Sequence, residues 1–355
     1  MEFLSEYGLF LAKAITVVIS FVVIIGAIVS AGQRNKQQPN EGHINITDIS
    51  DELKELEGGI RKEVMSKDAF KNYQKQQKQA DKEKAKSEKL QAKKADEKEN
   101  SSEDGRVFVI DFDGDVEASG VENLREEITA ILSVADKGDE VLVRLESPGG
   151  MVHTYGLASS QLLRIKSAGL KLNIAVDAVA ASGGYMMACV ADKIFAAPFA
   201  IIGAIGVVGQ LPNFNRLLKH NKVDYEQHTA GELKRTLTTF GEVTDKERDK
   251  FREELEETHV LFKSFINDNR PSLDIEKVAT GEHWYGSKAL ELGLIDEIST
   301  SDDLIVHASK ESSVYKVKYE IKKPLSERLP ISLQAMLQNV ILGVWNKIGT
   351  VKYFK

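Results

Sequence analysis

The sequence predicts an α/β fold: a largely parallel sheet built from βαβ units and preceded by one N-terminal transmembrane helix. Three observations carry this reading. Short runs rich in branched residues at 107–112 (VFVIDF), 140–145 (EVLVRL) and 172–179 (LNIAVDAV) alternate with helical stretches. Glycine-rich turns stand where strands end, at Ser147-Pro-Gly-Gly150 and Ser182-Gly-Gly184. An uncharged run precedes everything else. Strand–helix alternation of this kind implies right-handed crossovers and a sheet covered on both faces.

Taken in order, residues 14–32 (AITVVISFVVIIGAIVSAG) contain no charge. At 1.5 Å per residue such a helix spans roughly 28 Å, close to the hydrocarbon thickness of a bilayer. The segment before it carries Glu2 and Glu6 and no basic residue, unlike the basic leader of a cleaved signal peptide. Residues 1–33 therefore read as a membrane anchor. Residues 34–100 hold 16 Lys and Arg against 14 Asp and Glu with few branched apolar side chains, the composition of a solvated helix or disordered spacer. Arg34 and Lys36 bias the following chain toward the cytoplasm, though a long, near-balanced spacer weakens that rule.

A single globular domain is expected over 101–323. Its first strand, 107–112, leads through a capping-box pattern, Ser119-Gly-Val-Glu122, into a helix reaching about Val134. Strand 140–145 passes through Ser147-Pro-Gly-Gly150 into a helix ending near Gly169. Strand 172–179 meets a third helix opened by Ser182-Gly-Gly184, and short strands follow at 194–197 and 205–209. The uncharged stretch 194–209 is broken by Pro198, Gly203 and Gly206 and reads as buried core rather than a second membrane span. Residues 324–355 form a tail in which 331–348 has a broad apolar helical face, suited to packing within an oligomer.

Composition narrows the function. The 355 residues carry a net charge of −7, and the acidity belongs to the part after residue 100, which argues against a nucleic-acid partner. A single cysteine, Cys189, excludes an intramolecular disulfide and a cysteine zinc site; seven residues past Ser182, it reads as buried helix packing. No H-E-x-x-H or G-x-x-x-x-G-K-[ST] pattern points to a metal or nucleotide.

Three segments bear chemistry. Ser182 stands where a strand gives way to a helix, at the positive end of the helix dipole, and Gly183 and Gly184 allow close approach of a substrate backbone. Read alone, the same serine also fits a plain helix cap. Gly149 and Gly150 can direct backbone N–H groups at an anion, and equally fit an ordinary Pro-Gly turn. Lys234, in TAGELKRT, can serve as a base where burial favours its neutral form, but beside Arg235 it also reads as an exposed surface lysine. His153, His228 and His283 stand in no recognisable triad context.

The order of these pieces resembles the SppA/SohB signal peptide peptidase family of bacterial serine proteases, most closely its SohB branch. ESPGGMVHTYGLASSQLLR, AASGGYMMACVADKIFAAPFAIIGAIGVVGQLPN and TAGELKRTL, with a lysine 52 residues past Ser182, carry the resemblance, as does GEHWYGSKALELGLIDEI with Gly286, Ala289, Gly293 and Asp296. It implies a Clp protease/crotonase-type superhelix, Ser182 as nucleophile, Lys234 as general base, and the N–H groups of Gly183 and Gly150 as the oxyanion hole. It implies no metal and no cofactor. It further implies peptide or unfolded-protein substrates, such as signal-peptide remnants and misfolded envelope proteins. A homo-oligomer is expected from the single domain copy, with Ser and Lys supplied within or between protomers. The location it implies is the bacterial inner membrane, with the domain on the periplasmic or outer face. A catalytically silent scaffold with the same fold is the alternative.

Overall fold

The computed structural model describes residues 42–79, 105–231 and 236–321, with Gly8, Lys82 and Lys234 singly. The expected anchor at 14–32, the spacer beyond residue 82 and the tail at 331–348 lie outside the described residues. Strands are β1 (His43–Asp48), β2 (Val107–Asp113), β3 (Glu140–Glu146), β4 (Lys171–Val176), β5 (Val179–Ala181), β6 (Lys193–Ala196), β7 (Ile201–Gly203), β8 (His283–Tyr285), β9 (Glu297–Ile298) and β10 (Val314–Glu320). Helices are α1 (Ile49–Val64), α2 (67–79), α3 (Val121–Leu132), α4 (Val152–Ser167), α5 (Gly183–Ala188), α6 (Asn215–His220), α7 (Asp245–Asn269), α8 (Ile275–Val278), α9 (Gly286–Glu291) and α10 (Ser301–Glu311).

Seven strands form one sheet in the order β1-β10-β2-β3-β4-β6-β9, and every pairing from β10 to β9 is parallel. The central strands are buried on both faces because both are covered. On one side Leu124, Ile128 and Ile131 of α3, Leu162 and Ile165 of α4 and Met187 of α5 meet Ile110, Val143 and Ile174. On the other, Val109, Leu142 and Ala175 meet Ile305 of α10 and Ile49 and Leu53 of α1. This is the mixed α/β, parallel-rich architecture the alternation predicts.

Four expectations are corrected. Residues 43–64, expected in the spacer, form β1 and α1 and belong to the fold; the buried Ser50 accepts a 2.9 Å hydrogen bond from the Val314 N–H of β10. Ser119 does not cap α3, whose N-cap is Gly120; it donates instead to Asp115, through its N–H at 2.8 Å and its hydroxyl at 2.7 Å, and the helix stops at Leu132. The expected strand 172–179 splits, because Asp177 turns aside to accept from the Ser301 N–H and hydroxyl at the start of α10. Residues 205–209 are not a strand: Gly203 (φ +98°) and Ala204 (φ +48°) turn the chain after β7, and Val208 is already exposed.

That split creates the site. β5 leaves the main sheet and pairs in parallel with β7, which pairs antiparallel with β8, giving a small second sheet whose first strand ends immediately before Ser182.

Candidate active site

Ser182 has φ +51° and ψ −116°, a conformation a non-glycine residue adopts only at a cost of about 1–3 kcal/mol. Two backbone bonds hold it there: its N–H donates to the Gly203 carbonyl at 2.7 Å, and its carbonyl accepts from the Met186 N–H at 3.0 Å. Although it occupies the N-cap position of α5, its side chain makes no capping bond. The hydroxyl of this half-buried serine is thus not consumed by the helix. At this strained strand–helix junction the hydroxyl is left uncommitted.

The second glycine turn is fastened directly to the first. Ser147 donates its N–H to the Val179 carbonyl at 2.8 Å and accepts from the Ala181 N–H at 3.0 Å, which zips the end of β3 to β5. Gly149 (φ +84°) then passes so close to Ser182 that a Cβ there would lie 2.6 Å from the Ala181 oxygen, 2.7 Å from the Gly183 nitrogen and 2.8 Å from the Ser182 Cβ. Only glycine fits. The Gly149 N–H donates to Ser147 Oγ at 3.1 Å, and the Met151 N–H donates to the Val116 carbonyl at 2.8 Å. Between them, the N–H of the exposed Gly150 has no intramolecular partner among the described residues, and neither has that of Gly183 at the first position of α5. Two backbone N–H groups of the two glycine turns are thus left without a partner among the described residues.

Lys234 is exposed, on the segment between α6 and α7. Its N–H donates to the Gly231 carbonyl at 3.2 Å, and its side chain forms no hydrogen bond to Ser182 among the described residues. The surrounding segment, from Val208 to Phe240, exposes Leu211, Phe214, Leu217, Val223 and Tyr225, and α6 buries no residue. A cavity of about 780 Å³ opens here between Leu211, Arg216, Lys219, Phe251 and Arg252; Ser182, Gly183 and Gly150 are not in its walls.

The other candidates separate cleanly. His153 and His283 are exposed, and His228 pairs with Glu226 at 3.5 Å. Burial pushes the Cys189 thiol up to about 12, and its Sγ donates to the Met186 carbonyl, so it packs as a neutral side chain. Among the described residues no three His, Cys, Asp or Glu side chains are grouped to hold a metal. Sequence reasoning overlooked Ser147 and Tyr155, both fully buried beneath the glycine turns. Their only signal is position, one residue before Pro-Gly-Gly and one helical turn into α4.

Comparison with known proteins follows the same lines. The model of the peptidase family S49 N-terminal region matches residues 2–162, and the peptidase family S49 model matches residues 164–315. A "Probable protease SohB" of Haemophilus influenzae is 51% identical over 343 residues, covering 96% of each chain. A "Putative protease SohB" of Buchnera aphidicola subsp. Baizongia pistaciae is 42% identical over 350 residues, covering 98% of this chain and 99% of that one. A mutant of a membrane-bound stomatin-specific protease, solved in complex with a substrate peptide, aligns at a TM-score of 0.36 and 16% identity, covering 58% of this chain and 81% of that one.

Proposed function

Because the chain belongs to peptidase family S49, we propose that this peptidase is a membrane-anchored serine endopeptidase working through a Ser182–Lys234 dyad on a Clp protease/crotonase-type fold. The carrying observation is the strained, uncapped Ser182 with Gly149 packed directly against it and the N–H groups of Gly150 and Gly183 unpartnered among the described residues. In this reading Ser182 Oγ attacks the scissile carbonyl carbon while Lys234 takes its proton. The two N–H groups receive the charge developing on the carbonyl oxygen. Collapse of that intermediate breaks the C–N bond, and Lys234 returns the proton to the leaving amine. Water then hydrolyses the acyl-enzyme by the same route.

A lysine takes up this role only when dehydrated. The exposed segment around Lys234, with Val208, Leu211, Leu217 and Val223 turned to solvent, meets that condition by closing against a neighbouring copy. The protein then acts as a homo-oligomer whose sites are completed between protomers. No cofactor enters the reading. The apolar run at 14–32 anchors it in the bacterial inner membrane, with the domain on the periplasmic or outer face. There, signal-peptide remnants and misfolded envelope proteins are the peptides within reach.

Casein cleavage by the purified full-length chain tests this. Ser182→Ala and Lys234→Ala each abolish turnover while the circular dichroism spectrum is retained. Co-expressing the two dead variants restores about a quarter of wild-type activity, since random mixing pairs an intact serine with an intact lysine at that frequency in a closed ring. Wild-type activity in either single variant refutes the dyad; a dead mixture refutes sharing between protomers.

A further inference from the structure

Beneath the two glycine turns runs a chain of buried hydrogen bonds whose direction is fixed by chemistry alone. The Gly149 N–H approaches Ser147 Oγ at 3.1 Å, Ser147 Oγ lies 2.5 Å from the Tyr155 hydroxyl, and that hydroxyl lies 2.7 Å from the Asp115 carbonyl oxygen. An N–H only donates and a carbonyl only accepts. The single proton of Tyr155 therefore goes to Asp115, and the Ser147 proton goes to Tyr155. Every donor has one place to go, and both side chains are wholly buried. The same tyrosine supports the other turn: a Cβ on Gly183 would lie 2.4 Å from the Tyr155 ring, so the ring backs directly onto that residue. One side chain thus holds the Ser147–Gly149 turn by its hydroxyl and the Gly183 turn by its face.

We propose that Ser147 and Tyr155 are positioning residues for the reaction at Ser182, locking the Gly149 N–H inward so that the Gly150 N–H is the donor this loop presents to the oxyanion. The proposal rests on Ser182 and its flanking N–H groups being the active site. Losing the Tyr155 hydroxyl leaves the Ser147 proton without its acceptor and lets the Pro148–Gly149 peptide rotate, which turns the following Gly150 N–H with it. Misalignment of an oxyanion donor appears in the transition state and not in ground-state binding.

The experiment compares Tyr155→Phe and Ser147→Ala with wild type in the full-length, detergent-solubilised protein. The probes are a quenched fluorogenic peptide of leucine and alanine and the matching peptide aldehyde, which becomes a tetrahedral adduct on the serine. Expected for both variants is a fall in kcat on the order of tenfold or more with KM within about twofold, and a parallel loss in aldehyde affinity. Ser182→Ala, run alongside, abolishes turnover. If kcat stays within about twofold of wild type in Tyr155→Phe, or if its losses in kcat and KM track each other while aldehyde and peptide affinities fall equally, the relay only supports the fold and the proposal is overturned. Tyr155→Phe removes one oxygen atom and decides the matter even where Ser147→Ala does not fold. An active Ser182→Ala instead overturns the site reading itself, which separates the two failures.

Discussion

At the scale of single residues, the site depends on two backbone conformations that side chains resist. Ser182 accepts a positive φ because the Gly203 carbonyl and the Met186 N–H hold its peptide groups. Gly149 takes φ +84° with the Ser182 Cβ, the Gly183 nitrogen and the Ala181 oxygen all where its own Cβ would stand. Gly149→Ala is therefore expected to destabilise the fold by about 1–3 kcal/mol and to remove most turnover, since the loop escapes the clash only by moving away from the serine. Thermal melting together with fluorophosphonate labelling of Ser182 measures both effects. Unchanged melting and labelling would show that the turn yields freely and that its closeness to Ser182 is unimportant.

Among the elements, β1 and α1 are the ones whose charged sequence conceals a structural role. Their window has the same interleaved charges as the residues after it, but Ile49 and Leu53 dock on Ile305 and Val314, and the Ser50 hydroxyl accepts the buried Val314 N–H. Ser50→Ala leaves that N–H without a partner and is expected to cost about 1–3 kcal/mol in urea unfolding, whereas the exposed neighbour change Glu52→Ala costs less than about 0.5 kcal/mol. Equal effects would mean that α1 merely lies on the sheet. This helix also marks where the sequence stops being readable. β2, β3 and α4 are legible because both sheet faces are covered, which enforces unbroken branched runs, and because Gly169 (φ +80°) follows the last turn of α4. α1 is not, since of its five apolar residues only Ile49 and Leu53 pack on the sheet while Leu56, Ile60 and Val64 stay exposed. The break between β4 and β5 is equally hidden: Asp177 reads as a polar interruption, and its partner Ser301 is 124 residues away. Ser182, Gly183 and Gly150 are visible as glycine-rich strand ends. Tyr155 is not, because a buried tyrosine on an amphipathic helix looks like core until its hydroxyl partners are known.

Over the whole molecule, strands from distant parts of the chain are tied by one ion pair that joins the buried Arg270 to the partly exposed Asp296. Arg270, at the end of α7, donates to Asp296 at 2.9 and 3.1 Å and to the Gly293 carbonyl at 3.1 Å, while Asp296 also accepts the Ile194 N–H that opens β6 at 2.7 Å. Beside them the Tyr185 hydroxyl of α5 donates to the Leu294 carbonyl at 2.9 Å, linking the ion pair to the helix that begins after Ser182. Burial pushes the Asp296 carboxyl up, but the hydrogen bonds from Arg270 and Ile194 and the Arg270 charge outweigh it and hold the group below the ordinary carboxylate range. A carboxyl depressed in the folded state stabilises fully above its unfolded value of about 3.9, and that contribution is lost as pH falls through the lower folded value. Asp296→Asn removes the charge and leaves the buried Arg270 guanidinium without its counterion, at a cost of about 1–3 kcal/mol near neutral pH. The gap between wild type and variant should then narrow only below about pH 4, where Asp296 of the unfolded wild-type chain takes up a proton that the folded state still refuses. Melting temperatures of both proteins from pH 7 down to pH 3 measure that gap directly. A gap that stays constant across the range would mean that Asp296 acts through its hydrogen-bonding shape and not its charge; a gap that narrows already between pH 7 and 5 would contradict the depressed carboxyl.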